Sequence, residues 1–323
     1  MCRYWRKLAL AAIGKVRIDK AYELNMKTIF PLIQVKNSIG DEPLGTKTKF
    51  WFLHDERHWL YKEARTDTGE DWAEKIAAEL AKLLGINAAT VELAEFSGTR
   101  GCACLSFVDD KVGDVLIHGN EILAGQVFGY DPQKRFHQSN HTLENIQTAI
   151  SALFKNQEIH EKILTELASY LVLDALIGNT DRHHENWGLL LKALTENNQF
   201  TLHLEAAPTY DHASSLGREL RDERRELFIK QKNIETYIRK GSGAIFLSES
   251  DRHGANPLKL VELAVHKFPN YFKPSLDKLN SVRIEDMLLI IDQVPEHLMT
   301  DLSKQFTKEF LGATHNALCN LVK

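Results

Sequence analysis

The sequence predicts an α+β protein of two lobes, with a small antiparallel sheet in the first lobe and a mainly helical second lobe. Short β-type runs separated by polar turns lie between residues 50 and 108. Helical spacing of apolar residues recurs from residue 142 onward. A length of 323 residues, 43% of them hydrophobic, fits one large or two closely packed domains. We therefore predict an N-terminal extension (1–27), an N-lobe (28–110) and a C-lobe (111–323).

The predicted N-lobe begins with a hairpin. Its strands are Phe50–Leu53 and Trp59–Lys62, and the residues between them are polar. A helix over Asp71–Gly85 follows, since apolar residues recur on one face, Asp71 favours its start and Gly85 ends it. Two further strands, Thr90–Phe96 and Cys102–Val108, complete the predicted sheet.

The predicted C-lobe contains a helix over Glu158–Ile177, then a polar loop, then a second hairpin. Apolar residues in the helix recur at helical spacing. The hairpin joins Gly188–Ala193 to Phe200–Leu204. Residues 119–141 show no clear period, and we expect a substrate-side insertion there. From Pro257 onward the chain is predicted to be helical.

The polar loop contains the most informative spacing, Asp181-x-x-x-x-Asn186. In protein kinases, an Asp at the first position accepts the proton of the substrate hydroxyl, and an Asn at the second binds Mg²⁺. The residues around Asp181 are polar, which indicates a loop rather than a core position. The same spacing also arises by chance, and a solvated turn at the end of a helix explains it equally well.

Asp211 is a second candidate metal ligand, because the predicted hairpin would return it to a position beside Asn186. Two oxygen ligands suit Mg²⁺, which keeps several waters and takes further ligands from phosphates. An ordinary turn aspartate is the alternative interpretation.

Lys62 and Glu74 form a second candidate pair. Lys62 ends a strand and Glu74 lies in the first turns of the next helix, which is the order of the lysine–glutamate ion pair in kinases. Taken singly, each fits a solvated surface residue. The order strand Lys, helix Glu, loop Asp and Asn, then Asp211 is much less expected by chance than any one member.

The set resembles the HipA-like serine/threonine kinases, especially their short stand-alone members. The motifs that carry the resemblance are W-L-Y-K-E-A at 59–64, the helix at 72–86, G-N-T-D-R-H-H-E-N-W-G at 178–188 and Y-D-H-A-S-S-L-G at 210–217. It covers roughly residues 40–320 and implies a two-lobed, protein-kinase-like fold. Some members modify aminoacyl-tRNA synthetases and are neutralised by an antitoxin.

The resemblance implies roles for particular residues. Asp181 would be the catalytic base, and Asn186 and Asp211 would bind Mg²⁺. ATP would be contacted by these residues: Gly45, Thr46, Lys47 and Lys49 over the phosphates, Lys62 held by Glu74, and Phe107 and Val108 near adenine. The chain departs from the family in two ways: it is too short for the whole N-terminal subdomain of the longer toxins, and His212 and Ala213 follow Asp211 where Phe-Gly is usual.

Two other functions remain open from the sequence. D-R-H-x-x-N also resembles the catalytic loop of phosphatidylinositol kinases, but no strongly basic amphipathic helix suggests membrane docking. The second open function is a nucleotide-binding module without catalysis. The presence of Asp181, Asn186 and Asp211 argues against it. We expect a protein substrate, such as a translation component, and an antitoxin or other regulator as partner.

Composition excludes several classes. A net charge of −4 and a pI near 6.4 argue against direct nucleic-acid binding driven by charge. No apolar run approaches the roughly 20 residues that span a membrane. The N-terminus imitates a signal peptide, but Lys15 and Arg17 interrupt its short apolar run. We expect a cytoplasmic protein with reduced cysteines.

A zinc site at His183-His184-Glu185 is the remaining alternative for the loop. The usual helical zinc pair has the spacing H-E-x-x-H, which this segment lacks. We therefore favour His183 as a residue that supports the loop.

Overall fold

A computed structural model describes residues 29–41, 48–109, 111–196 and 199–322 of the chain. The first sheet has the strand order β1-β5-β6-β4-β3-β2. β1 pairs in parallel with β5, and every other pairing is antiparallel. The strands are β1 (Leu32–Val35), β2 (Gly40–Asp41), β3 (Lys49–His54), β4 (Arg57–Glu63), β5 (Val91–Phe96) and β6 (Thr99–Leu105). The predicted α+β fold is confirmed, and β1 is an addition that the sequence did not indicate.

The β3–β4 hairpin shows why this segment forms a sheet. Phe50 and Tyr61 lie opposite one another and are buried, as are Phe52 and Trp59. These alternate positions cover one face with an apolar cluster. The turn residues Asp55 and Glu56 both have positive φ, which matches the twist of a two-residue hairpin.

Helix α1 (Glu70–Leu83) lies against this sheet. Glu70 and Asp71 in its first turn, and Lys82 in its last, complement the helix dipole. Its apolar residues join the large core that continues into the C-lobe. The helix places Glu74 in a buried position facing the sheet side of the lobe interface.

The C-lobe is mainly helical, as predicted. Its helices are α2 (Gly119–Gln126), α3 (Leu143–Leu153), α4 (Gln157–Ile177), α5 (Asp222–Lys230), α6 (Ile234–Lys240), α7 (Pro257–Lys267), α8 (Pro269–Ser281), α9 (Ile284–Asp292) and α10 (Asp301–Cys319), with a 3₁₀ turn at Asn320–Val322. The segment 119–141 thus begins with a short helix. None of the helices in the described ranges has the length and apolarity to cross a membrane.

Helix α4 is the buried axis of the C-lobe, packed against α7, α8 and α10. Asn156 caps its start by accepting from the Glu158 amide. Gly178 ends it with φ of 66°, and a Cβ there would lie 2.5 Å from the Phe310 ring. Only glycine therefore fits the point where the helix turns into the polar loop.

A small sheet of β7 (Val115–His118), β8 (Gly188–Glu196) and β9 (Gln199–Ala206) follows that loop. The predicted hairpin between β8 and β9 is confirmed. After β9, the amide of Thr209 donates to Asn87 O and the amide of Ala89 donates to Thr209 O, both over 2.9 Å. This clamp holds the segment that carries Asp211 against the N-lobe.

The two lobes are also joined by contacts near the start of α1. Arg218 of the C-lobe pairs with Glu70, with Nη1 2.5 Å from Oε1. Within the N-lobe, Arg100 on β6 pairs with Asp71 over 2.7 Å, and it also donates to the C-lobe carbonyl of Leu298. Both carboxylates are almost fully buried, so the Arg218 pair and the Arg100–Leu298 hydrogen bond fix the start of α1 relative to the C-lobe.

Candidate functional site

The loop after α4 is fixed by a buried ion pair. Arg182 reaches back to Asp174, with Nε 2.7 Å from Oδ2 and Nη2 2.8 Å from Oδ1. Burial alone would lower the pKa of Arg182, but the charge of Asp174 outweighs it and raises that pKa. A bidentate, charge-assisted pair specifies geometry as well as energy. The loop therefore has a defined position relative to α4.

Three of the polar residues around Asp181 are buried, which argues against the alternative interpretation of a solvated turn. Asn179, Arg182 and His183 are 1%, 4% and 1% exposed. Asn179 Nδ2 donates to Asp174 Oδ1 over 2.8 Å, and its Oδ1 accepts from the Asp181 amide over 3.1 Å. The reason is the ion pair beneath them, since a buried charge needs polar neighbours to complete its hydrogen bonds. These residues form the support of the loop.

Asp181 and Asn186 are brought together as the spacing predicts. Asn186 Nδ2 donates to the Asp181 carbonyl over 2.8 Å. Because the amide nitrogen is used in this way, the amide oxygen is the Asn186 atom suited to a cation. Asp181 is half-buried and lines a cavity of about 300 Å³ together with Phe136 and His253.

Asp211 lies two residues beyond the clamp and faces the N-lobe. Its Oδ1 is 3.0 Å from Lys62 Nζ on β4. Asp211 adopts φ of 61°, a left-handed backbone that few non-glycine residues adopt. Such strain persists only where the surroundings over-determine it, and it clusters at functional sites.

The ion pair of Lys62 differs from the expected one. We predicted a pair with Glu74, whereas the pair that the structure forms is with Asp211. Burial disfavours the charge of Lys62, but Asp211, and after it Glu74, raise its pKa well above the usual value. The physical reason is the position of Asp211. The hydrogen bonds of Thr209 hold the segment after β9 against the N-lobe, and this places Asp211 in direct contact with Lys62 at the end of β4. Lys62 is thus held charged by its contact with Asp211 and by the negative charge of Glu74.

Glu74 instead faces His212. His212 Nδ1 lies 3.5 Å from Glu74 Oε1, and both side chains are 1% exposed. Burial raises the pKa of Glu74, but Lys62 and His212 outweigh it and lower that pKa. His212 Nε2 lies 2.9 Å from Thr209 Oγ1, which also accepts from Arg182. If the Thr209 hydroxyl donates to Nε2, the proton of His212 is on Nδ1 and faces the carboxylate.

The two lysines that are expected to contact the phosphates, Lys49 and Lys62, lie on one face of the N-lobe sheet. Lys49 and Lys62 are directly opposite in the β3–β4 register, so their side chains leave the sheet on the same side. Gly45, Thr46 and Lys47, also expected over the phosphates, lie outside the described residues.

The expected adenine residues follow β6. Phe107 and Val108 are half-buried, and the Phe107 ring lies 5.6 Å from the ring of Tyr210. The Tyr210 hydroxyl donates to the Glu185 carbonyl over 2.7 Å. The contact between the two rings therefore joins the connection of the lobes, which carries Phe107, to Tyr210, the residue that precedes Asp211.

His183 is buried and hydrogen-bonded to a neighbouring segment, which fits its interpretation as a residue that supports the loop. His183 Nε2 accepts from Arg135, with Nη2 at 2.8 Å. Burial, followed by the charge of Arg135, lowers the pKa of His183 to about 3. Across the described ranges, no three or more His, Cys, Asp or Glu residues are grouped so that they could hold a metal ion. Asn186 with Asp211 would therefore need phosphate oxygens to complete a metal site.

Three supporting residues were missed by the sequence analysis: Asp174, Arg182 and His212. Asp174 could have been found, because a carboxylate within the apolar last turns of a helix needs a buried cation. Arg182 lies in the loop and was read only as a polar neighbour of Asp181. His212 was noted as a departure from Phe, but nothing in the sequence shows that it faces Glu74.

The assembled side chains can bind a phosphorylated ligand and accept a proton. Two lysines face one side of the site, and a carboxylate and an amide oxygen offer ligands of the type that Mg²⁺ prefers. Asp181 lies on the loop held by the Arg182–Asp174 pair and lines a cavity, where it can accept a proton from a group that enters that cavity.

Comparisons with known proteins show a family and a fold that this chain shares. The family described as HipA-like C-terminal domain matches residues 36–266. The fold is similar to the crystal structure of a Helicobacter pylori proinflammatory kinase, CtkA, with a TM-score of 0.68 and 17% identity, covering 90% of this chain and 98% of that one. It is also similar to HipA from Shewanella oneidensis MR-1, in a complex with HipB and operator DNA, with a TM-score of 0.56 and 12% identity, covering 94% and 69% of the two chains. A search of curated protein sequences gave no match. At these identities the likeness shows a shared fold.

Proposed function

Because the chain belongs to the family of HipA-like C-terminal domains, we propose that it is an ATP- and Mg²⁺-dependent kinase that transfers the γ-phosphate to Ser or Thr hydroxyls of a protein. The observation that carries the proposal is the support of the loop Asp and Asn. Asp181 and Asn186 are joined by a hydrogen bond and held by the buried Arg182–Asp174 pair. Kinase catalysis depends almost entirely on positioning and on charge stabilisation, which this rigidity serves.

Lys62 and Lys49 bind the nucleotide phosphates in this proposal. Their shared face of the sheet brings two positive charges to one side of the site. Lys62 stays charged although it is largely buried, because Asp211 and Glu74 stabilise its ammonium group. A cation fixed in this way binds phosphate oxygens without first being ordered.

Asp211 and Asn186 hold Mg²⁺ in this proposal. The donor set fits the ion, since both groups offer oxygen and neither offers nitrogen or sulfur. Bound Mg²⁺ neutralises negative charge on the phosphates. Asp211 is paired with Lys62 in the structure through Oδ1, and in this proposal the same carboxylate serves both the lysine and the metal.

Asp181 is the general base. It accepts the proton of the acceptor hydroxyl as that oxygen attacks the γ-phosphorus, while the bond to the bridging oxygen of ADP breaks. Its cavity of about 300 Å³ has room for a side chain. The Asn179 side chain holds the Asp181 backbone through its amide, which fixes the position of the carboxylate.

A protein acceptor is favoured over a lipid because the sequence shows no strongly basic amphipathic helix that would dock on a membrane surface. The test is incubation of the protein with heavy-isotope ATP and cell lysate, followed by mass spectrometry. Labelled Ser or Thr phosphates on proteins are the expected result. Label confined to a lipid fraction, or no label, would contradict the proposal.

A regulatory protein partner, such as an antitoxin, is a further proposal that rests on the family. The solved HipA from Shewanella oneidensis is bound to HipB and operator DNA. Co-purification of the tagged chain from its native cells tests whether this chain has a comparable partner.

A further inference from the structure

A second cleft opens beside the cavity of Asp181. It has a volume of about 490 Å³ and lies between the segment after Asp211 and the helices α5 and α6. Thr180 and Ser242 line both this cleft and the Asp181 cavity. The two spaces are therefore neighbours that meet at the residue before the proposed base, and we call the larger one the flanking cleft.

The floor of the flanking cleft is aromatic. Phe228 and Tyr237 lie 5.5 Å apart, and Phe310 lies 6.1 Å from Tyr237. These half-buried or buried rings offer an apolar surface to a side chain that enters the cleft.

The rim of the flanking cleft is cationic. Arg224 on α5 and Lys240 at the end of α6 are both exposed and line it. In the described part of the chain, neither side chain has an ion pair, and Arg224 only lies over the Phe228 ring at 5.5 Å. A third cation, Arg218, is already paired with Glu70.

One carboxylate lies on the same rim, and it is engaged. Glu219 Oε1 accepts from the Tyr237 hydroxyl over 2.6 Å. This bond keeps Glu219 at the aromatic floor, but it leaves its negative charge in place. The rim thus carries two unpaired cations and one carboxylate on a chain whose net charge is −4.

We propose that the flanking cleft binds the acceptor protein, and that it selects Ser or Thr residues flanked by acidic residues and an apolar side chain. This inference rests on the proposed kinase function, and it names the class of acceptor. An extended chain with its hydroxyl at Asp181 continues past Thr180 and Ser242 into the flanking cleft. Acidic side chains there meet Arg224 and Lys240, and an apolar side chain covers the aromatic floor.

Binding of short peptides to the full chain tests the inference independently of catalysis. One fluorescent peptide has a central serine flanked by glutamates and a leucine, and its counterpart has lysines in place of the glutamates. Fluorescence anisotropy is measured with a non-hydrolysable ATP analogue and Mg²⁺. The glutamate peptide should bind more tightly, and its affinity should fall as salt is raised, because exposed charges are screened.

Charge reversal of the rim provides the matched comparison. Arg224→Glu with Lys240→Glu should weaken the glutamate peptide at least about fivefold, because two attractions become repulsions at exposed positions. Arg239→Glu is the control: it precedes Lys240 on α6, is exposed and lies outside the cleft. It should change the affinity much less.

The outcomes separate the two proposals. Equal affinity for both peptides, or the same loss in the Arg239 control as in the double variant, overturns the acidic-acceptor inference. Phosphate transfer to both peptides without preference overturns the inference and leaves the kinase function standing. Charge-selective binding without any phosphate transfer supports the cleft and contradicts the kinase function.

Discussion

Lys62 and Asp211 are 149 residues apart in sequence, yet the Lys62 ammonium lies 3.0 Å from the Asp211 carboxylate. The contact joins the end of β4 in the N-lobe to the segment after β9 in the C-lobe. The contact therefore depends on how the two lobes pack against each other. It also places the proposed phosphate cation and the proposed metal ligand within one interaction.

Lys62→Ala should weaken ATP binding. A charge-assisted contact of this kind contributes about 1.5 to 3 kcal/mol, so we expect a loss of about ten- to a hundredfold in affinity. Calorimetric titration of the purified variant with ATP measures it. Lys82→Ala, on the exposed side of α1, is the control for loss of a lysine. Unchanged ATP affinity and turnover in the Lys62 variant would remove this residue from the site.

Asp211→Asn should abolish the Mg²⁺ dependence of nucleotide binding. The amide keeps the shape of the carboxylate but loses the charge that attracts a hard cation. In the parent protein, Mg²⁺ with ATP should raise the midpoint of thermal unfolding more than ATP alone, because ligands of the native state stabilise it. This difference should disappear in the variant. A variant that keeps the full difference would contradict the assignment of Asp211.

Asp174→Ala should destabilise the fold strongly. The substitution leaves the Arg182 guanidinium buried without its partner, and breaking a buried pair in this way costs about 3–5 kcal/mol. Urea denaturation gives the free energy of unfolding. Asp277→Ala, an exposed residue on α8, serves as the control and should change it little. Equal stability of the two variants would show that the ion pair does not hold the loop.

Stability should fall as the solution becomes mildly acidic, and His141 should contribute. Burial lowers the pKa of His141 from 6.5 to about 3, and His141 Nε2 accepts from Trp187 Nε1 over 3.0 Å. Between these pKa values the unfolded chain binds the extra proton, so stability is fully present above 6.5 and is lost as pH falls. One such group contributes at most about 1.4 kcal/mol per pH unit.

The measurement is the slope of unfolding free energy against pH below about 6.5. His141→Phe should reduce this slope whatever its effect on stability at neutral pH, and the exposed His253→Phe should not. An unchanged slope in the His141 variant would mean that its ring is not held neutral by burial.

The elements of the fold could be predicted because their patterns are local. Alternation in the β3–β4 hairpin and helical spacing in α4 both appear within a few residues. β1 was not predicted, because it has four residues only and its partner β5 lies about 60 residues later in the chain.

The candidate site was predictable in its residues but less so in its pairings. Asp181 and Asn186 are five residues apart, so the conformation of one short loop determines their relative position. The partner of Lys62 depends on how the lobes meet, and the sequence suggested Glu74 where the structure has Asp211. Likewise, the polar residues around Asp181 indicated a loop, but nothing local in the sequence shows that Arg182 turns inward to Asp174.

The central claim is that Asp181 is the catalytic base of a phosphate transfer. The most direct test measures ATP affinity and phosphate transfer on one preparation of Asp181→Asn, with Asp277→Asn as the control. General-base contributions are about a hundred- to ten-thousandfold, so transfer should fall by that factor while ATP affinity changes little. Transfer at the parental rate in Asp181→Asn would contradict the proposed mechanism.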